Sequence, residues 1–282
     1  MTGQIKSPVM RYHGAKFRLA EWVMSFFPAH ECYVEPFGGA AGVLMQKQRS
    51  YAEVYNDLDK EVVNVFQVLR DPEMAKRLIE QCQLTPFSRE EFIRAYEETD
   101  DPIEMARRML FRSQAGFGTG AASGNTSGFR SDSKRSYSLS SHIWGRYPEN
   151  IAAFCERLQG VIIENRPAID LIAAHDSPET LFFVDPPYVL DTRKRSGQKT
   201  YRHEMTDDDH VQLLDMLNQV QGYVVLSGYP SELYSSRLTH WSLHQKTARA
   251  SGFRGTVPRT ECAWLNPKCA AAVQQPQLEL EA

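Results

Sequence analysis

No apolar run in the chain approaches the roughly 20 residues that cross a bilayer, and the opening MTGQIKSPVM has no apolar segment of the kind a secretory signal needs. Both absences lead us to expect a cytoplasmic protein with no membrane partner. Cysteine is scarce: Cys32, Cys82, Cys155, Cys262 and Cys269 are odd in number and far apart. That argues against a disulfide framework or a CxxC metal knuckle, and for reduced, mostly buried thiols. The eight histidines are scattered too, and the one pair at helix spacing, His240 and His244, flanks Trp241 in a strand-like segment. No metal site is expected. Neither sign of charge dominates, since 32 basic and 35 acidic side chains leave a net charge of −3. No internal repeat is evident. The remaining composition, 24% charged and 42% hydrophobic over 282 residues, is that of a globular protein with one large domain or two smaller ones.

The distribution of charge says more than its total. From 107 to 147 there are seven basic residues against one acid, Asp132, and from 191 to 202 five against one. A basic footprint on a mildly acidic chain points to a polyanionic partner, with a solvated charged face as the alternative. Within the first stretch, SQAGFGTGAASGNTSGFRSDSKRSYSLSSHIWGRY at 113–147 interleaves Gly and Ser with Phe117, Phe129, Tyr137, Trp144 and Tyr147. Flexible linkers do not usually carry so many aromatics and arginines. Aromatics for stacking and cations for phosphate fit contact with nucleic acid.

Periodicity predicts a helix over 16–27, a strand in CYVEP, a glycine turn PFGGAAG at 36–42 opening a helix, and a strand over 52–55. A helix follows in DKEVVNVFQVLRD, where Val62, Val63, Phe66 and Leu69 recur at helical spacing. Further helices are expected over 73–83 and from 88 to about 112, the latter with Ser88 as N-cap and Glu91 completing a capping box. Beyond them come a helix at 148–158, a strand at 160–165, a helix at 167–174 and a strand ending at Asp185. A helix capped by Thr206, a strand at 223–227 and short segments around THWSLHQ and ECAWLN complete the pattern. Alternating β and α elements imply an α/β fold with a doubly wound, mostly parallel sheet and ligands at the C-terminal ends of its strands. From about Ala270 the tail is expected to be disordered.

Two strand ends carry the chemistry. Gly38, Gly39 and Gly42 follow the first strand, and Asp57, ending the next strand about 20 residues on, suits a ribose diol. The glycine spacing is not GxGxxG, and Glu35 stands where a pyrophosphate would be repelled. A nucleoside bearing a positive group fits better. The second strand end is FFVDPPYV at 182–189, where an apolar run stops on a carboxylate and two prolines. Proline lacks an N–H and biases its predecessor towards extended backbone, so the element is stiff and cannot continue as helix or central strand. An edge strand running into a rigid turn is the plainer reading of the prolines alone.

Four patches in order, RYHGAKFRL at 11–19, YVEPFGGAAGVL at 33–44, YNDLDKEVVNVF at 55–66 and FFVDPPYV, make the chain resemble the DNA adenine methylase family, which uses S-adenosylmethionine. The resemblance implies a Rossmann-like methyltransferase fold with a discontinuous catalytic domain, 1–70 and 148–269, and an inserted, mainly helical recognition domain at 71–147; residues 270–282 form the tail. It assigns Tyr12, Gly14 and Lys16 to the N-terminal cofactor motif, with His13 intervening. Glu35, Pro36, Phe37, Gly38 and Gly39 match its glycine motif, although the family more often has G-x-G. Asp57 matches the ribose acid. Asn165 matches a polar position near the cofactor adenine, with a turn residue before Pro167 as the alternative.

Asp185, Pro186, Pro187 and Tyr188 match the catalytic motif, Asp185 also bordering the cofactor. An exocyclic amine is a poor nucleophile because its lone pair is delocalised, and acceptors on its N–H bonds, here the Asp185 carboxylate and the Pro186 carbonyl, localise it. Tyr188 offers a stacking face. The implied partner is double-stranded DNA, with the base flipped out and the protein acting as a monomer. Arg112, Arg130, Lys134 and Arg135, then Arg193, Lys194, Arg195, Lys199 and Tyr201, are the candidate DNA contacts. Aspartate before PPY favours adenine in DNA over a cytosine amine, RNA or a protein glutamine. A nicotinamide-dependent oxidoreductase and a catalytically idle DNA-binding protein are the readings from other classes.

Overall fold

The computed structural model describes residues 5–118, 126–134, 139–192, 201–252 and 255–274, with backbone alone at 249–252 and 255–257. Seven strands form one sheet: β1 (Cys32–Glu35), β2 (Ala52–Asn56), β3 (Val161–Glu164), β4 (Thr180–Val184), β5 (Tyr223–Gly228), β6 (Ser242–Gly252) and β7 (Gly255–Leu265). Their order is β3-β2-β1-β4-β5-β7-β6; the first five are parallel, and β7 runs antiparallel to both β5 and β6. The central strands are buried on both faces, which is why they read as continuous apolar runs. Successive side chains alternate between two apolar clusters: Tyr33, Tyr55, Leu181, Phe183 and Val225 enter one, and Val34, Val54, Phe182, Val184, Val224 and Leu226 the other.

The first cluster is covered by the short α1 (Ala20–Met24), α2 (Lys60–Arg70), α3 (Pro72–Leu84), α4 (Arg89–Arg94), α5 (Pro102–Ala115), α6 (Ser140–Arg146) and α7 (Pro148–Leu158). The second is covered by α8 (Ala168–His175), α9 (Asp207–Leu217) and α10 (Glu232–Arg237). Helix starts follow their caps. Asp59, Asp71 and Asp101 each accept an N–H of the helix they precede, and Pro72 and Pro102 occupy first turns that need no N–H. Thr206 and Asp209 form a reciprocal capping box on α9. At α4 only half of the expected box exists: Ser88 Oγ accepts the Glu91 N–H, while the Glu91 carboxylate pairs with Arg107 at 2.7 Å.

Several expectations are corrected. The stretch 88–112 divides in two, because Asp101 caps a new helix that Pro102 begins. The glycine turn at 36–42 opens onto successive turns rather than a helix, and Ala41, at φ 52°, breaks any helical run there. The segments around THWSLHQ and ECAWLN are parts of one long hairpin, β6–β7, registered from Ser242↔Leu265 to Gly252↔Gly255. The tail is not disordered from Ala270: α11 (Pro267–Gln274) buries Cys269 completely, and residues 275–282 lie outside the described residues.

Strand order reverses between β1 and β4, with β2 and β3 on one side and β5 on the other. Such a switch point opens a crevice beyond the carboxyl ends of the two strands. Here those ends deliver Glu35 and Asp185.

Candidate active site

A cleft of about 280 Å³ occupies the crevice, lined by residues 12–16, 35–40, 56–59, 166–169, 185, 187 and 201–205 among others. Its floor is set by strand-end acids. Glu35 is buried, and its Oε1 accepts from the Tyr33 hydroxyl at 2.6 Å and the Leu44 N–H at 2.8 Å. Burial pushes its carboxyl up to about 7 against those two hydrogen bonds, with the nearby charge of Asp185 adding to the rise. Asp57 accepts the Gly39 N–H at 2.9 Å through Oδ2 and the Asp59 N–H at 2.8 Å through Oδ1. Burial raises its carboxyl to about 6. The Gly39 amide is therefore spent on Asp57. Gly38 is required by a neighbour, since a Cβ there would overlap the Tyr55 ring, whose hydroxyl donates to Gly39 O at 2.6 Å.

Lys16, placed by sequence in the cofactor motif, is brought onto Asp185 from 169 residues away. Its Nζ donates to Asp185 Oδ2 at 2.9 Å and to Gly14 O at 2.8 Å. It also lies 2.8 Å from Asp185 Oδ1, in ion-pair contact without hydrogen-bond geometry. The ammonium is buried, 5% exposed, and sits 4.8 Å from the centre of the Tyr188 ring.

Tyr188 is also buried. Its hydroxyl donates to Glu261 Oε2 at 3.0 Å and meets Ser227 Oγ at 3.0 Å. Burial raises the Glu261 carboxyl, opposed by the charge of Lys16. Ser227 and Glu261 escaped the sequence reading; the one signal was an acid heading the apolar strand ECAWL. Pro187 lines the cleft, whereas Pro186 is buried and Tyr188 is absent from the lining.

Asn165 is corrected. It is exposed and outside the cleft lining, and its amide donates to the carbonyls of Asp57 and Leu58 at 2.8 and 3.1 Å, so it shapes the Asp57 turn. Tyr201, expected on the DNA, lies over the cofactor motif with its ring 5.2 Å from His13 and 6.3 Å from Tyr12. Gly14, at φ 72°, leaves room for it, since a Cβ there would stand 2.7 Å from the Tyr201 hydroxyl. Next to it Arg202, one of the five basic residues counted at 191–202, reaches across to Asp59 at 3.2 Å and Glu61 at 2.8 Å.

The expected DNA contacts fare unevenly. Arg112 is 5% exposed and donates to Ala95 O and Glu61 Oε2, both at 2.6 Å, so it joins α5 to α2 and has no hold on phosphate. Trp144 and Tyr147 are core residues that donate to Thr85 O and Val9 O. Arg130 donates to Gly116 O and lies over the half-exposed Phe117, 5.7 Å from its centre, and Lys134 is exposed. Arg135, Tyr137, Arg193, Lys194, Arg195 and Lys199 lie outside the described residues. Among the described residues no helix is long and apolar enough to cross a membrane, and no three His, Cys, Asp or Glu side chains are grouped to hold a metal ion.

This donor set fits a cationic nucleoside. Asp57 lines the cleft with lone pairs left for hydroxyl donors, and the buried Glu35 carboxyl lies where a positive group would meet it. Fold and cleft thus define a nucleoside-binding α/β protein. Over residues 12–251 the sequence matches the family of D12 class N6 adenine-specific DNA methyltransferases, and the chain belongs to it. Its activity is methylation of adenine in DNA, with S-adenosylmethionine as cofactor.

Two solved structures are distantly similar. A precorrin 8W decarboxylase from Methanobacterium thermoautotrophicum is 9% identical, with 88% of this chain and 89% of that chain covered and a TM-score of 0.35. A SAM-dependent methyltransferase from Agrobacterium tumefaciens is 10% identical, with 90% and 62% covered and a TM-score of 0.39. Likeness at that level adds nothing to the assignment. No curated protein sequence matches the chain.

Proposed function

We propose that the DPPY segment at the end of β4 receives an adenine flipped out of double-stranded DNA and methylates its N6 amine. The observation that carries this is the position of Asp185: it ends β4 at the lip of the nucleoside cleft, with its carboxylate oriented by a buried ammonium. Asp185 and the Pro186 carbonyl are the acceptors for the amine hydrogens, and the two prolines fix that backbone. Asp57 accepts from the ribose hydroxyls, with Tyr12, Phe37 and Ile169 among the cleft residues that exclude water around the nucleoside. When bound, S-adenosylmethionine supplies an electrophilic methyl group on a sulfonium. The residues' work is alignment, which can supply several kcal/mol of barrier reduction.

Asp185→Asn is the suitable test. Asp185→Ala would strand the Lys16 cation in a buried site, a change that typically costs about 3–5 kcal/mol. The amide keeps the shape and one oxygen that can still accept from the Lys16 ammonium, while removing the charge. We expect it to lower tritiated-methyl transfer to DNA at least a hundredfold, roughly the scale of losing one positioned transition-state acceptor, while calorimetry still detects cofactor binding. Full activity in this variant would remove Asp185 from the chemistry.

A further inference from the structure

Between Glu232 and Glu261 the chain carries Arg237, Lys246, Arg249, Arg254 and Arg259 and no acid, a basic run to which the reaction gives no task. The sheet shows where most of it stands. β5 pairs with β7 only from Val225↔Leu265 to Gly228↔Cys262, whereas β6 and β7 go on pairing from Lys246↔Glu261 to Gly252↔Gly255. Because β7 is antiparallel to β5, that continuation lies beyond the carboxyl end of β5, on the edge from which the DPPY segment leaves β4. At ~3.3 Å per residue it is a two-stranded ribbon roughly 20 Å long. No other strand pairs with it among the described residues, and Phe253 and Arg254 lie outside them.

Little in this ribbon invites cover by protein. A lone pair of strands gains little from its own packing, and Gln245, Lys246, Thr247, Pro258 and Thr260 are all exposed. Pro258 offers no N–H, and a lysine on an edge strand opposes the addition of another, so pairing with a second copy is disfavoured. Charge selects a polyanion instead. Side chains two apart on a strand, and those directly paired across it, share a face. Lys246 and Arg259 therefore continue the face that carries Ala263 and Leu265, the one covered by α1 to α7. Lys246 lies there over Trp22 of α1, 5.8 Å from its ring centre. At the ribbon's foot a cavity of about 260 Å³ is walled by Thr192, Tyr229, Pro230, Arg259 and Thr260. Hydroxyls and a guanidinium around one space are donors suited to a phosphate. Arg259 Nη1 donates to the Tyr229 hydroxyl at 2.8 Å, which holds the guanidinium in place and spends one of its donors.

We propose that the overhanging β6–β7 ribbon is a second DNA-binding element, separate from the recognition insertion. Lys246 and Arg259 neutralise phosphates of the duplex flanking the target adenine, and one of those phosphates sits in the cavity at the ribbon's foot. The partner's identity rests on the adenine-N6 reading above. Contacts of this kind position a duplex without reading its sequence. The ribbon leaves the sheet on one side of the DPPY segment, beyond β5. It therefore holds duplex on one side of the target base, which makes the length of DNA required unequal on the two sides.

The test uses the full chain on duplexes built around the adenine that single-molecule sequencing finds modified in plasmid treated with the wild type. Lys246→Ala with Arg259→Ala is expected to reduce the slope of log affinity against log salt by up to about 1.8, ~0.9 for each phosphate released. Calorimetric cofactor affinity should stay within about twofold of wild type. Lys246→Arg with Arg259→Lys keeps both charges and should keep the slope, which loss of a merely structural contact would not allow. Shortening the duplex on one side of the adenine should raise the wild-type KM for DNA severalfold, shortening it on the other should not, and the alanine variant should respond to neither. An unchanged slope in the alanine variant, the same loss in the charge-keeping variant, or a wild-type dimer in light scattering that these replacements separate would each overturn the assignment. A wild type that binds duplex with a ribbon-dependent slope and modifies no adenine would remove the adenine reading and keep the ribbon. One that modifies adenine with a slope indifferent to the ribbon would do the reverse.

Discussion

Asp57 is gripped by two backbone N–H groups and still carries a carboxyl raised by burial to about 6. Hydroxyl donors prefer the ionised form. The share of cofactor affinity that Asp57 supplies is therefore expected to be level above about pH 6 and to fall roughly tenfold per unit below it, with the buried Glu35 carboxyl, raised to about 7, titrating separately. Asp57→Asn should bind more weakly and lose the part of the fall below about pH 6; calorimetry from about pH 5 to 8 checks both, and an unchanged slope below pH 6 in the variant would exclude Asp57 as the group titrating there. Stability runs the other way. A folded-state pKa above the ordinary 3.8 gives a contribution that is full below that value and lost as pH rises through about 6. At this scale the strand-end acids were legible, because an acid closing an apolar run is a local pattern. Pairings were not. Lys16 meets Asp185 across 169 residues, Tyr188 meets Glu261 across 73, and Arg112 meets Glu61 across 51. Arg112 was misread for that reason: its charge is visible in the chain, its partner only in the fold.

Strand β2 carries a buried ionic knot unrelated to the cleft. Glu53 accepts from Lys47 Nζ at 2.7 Å and from both terminal nitrogens of Arg157 at 2.6 and 2.9 Å, tying β2 to α7 and to the turn after the glycines. Glu53→Ala leaves two buried cations without their carboxylate. We expect it to cost about 3–5 kcal/mol in urea unfolding, and a loss under about 1 kcal/mol would mean that water compensates them. The segment after Tyr201 is held differently, by the Arg202 pairs with Asp59 and Glu61 at the start of α2. Arg202→Ala is expected to weaken cofactor binding about three- to tenfold through a looser cleft wall, with little change in melting temperature, because the pairs are partly exposed. Equal affinity in calorimetry would show that the wall stays shut without them. Among elements, the doubly buried strands were readable as apolar runs. The β6–β7 hairpin was not, since Ser242–Gly252 is largely polar in sequence and lies at the sheet edge, with no buried side chain at 242–248. The absent helix after PFGGAAG depends on Ala41 adopting a left-handed backbone, which no spacing rule announces.

For the whole molecule the fold narrows the basic footprint read from 107–147. Arg107 is paired with Glu91 and Glu104, Arg108 with Glu104, and Arg112 with Glu61, so these cations serve the helical layer. The other basic residues in the described part of this segment are Arg130, Lys134 and the exposed Arg146, and the first two are the DNA contacts we propose. Replacing both with Ala should reduce the slope of log affinity against log salt by up to about 0.9 for each phosphate that is no longer neutralised. Arg112→Met should lower stability and leave the slope as it was. Fluorescence anisotropy across a salt series separates the two, and an unaltered slope in the double variant would take 130–134 off the DNA. The acids gathered at the carboxyl edge set a harder condition. Glu35, Asp185 and Glu261 stand close to where a polyanion must come, and bare carboxylates there would repel it. The Lys16 ammonium locked onto Asp185 cancels a full unit of negative charge at that lip. A duplex can thus draw near an edge built from acids with that carboxylate's field already cancelled.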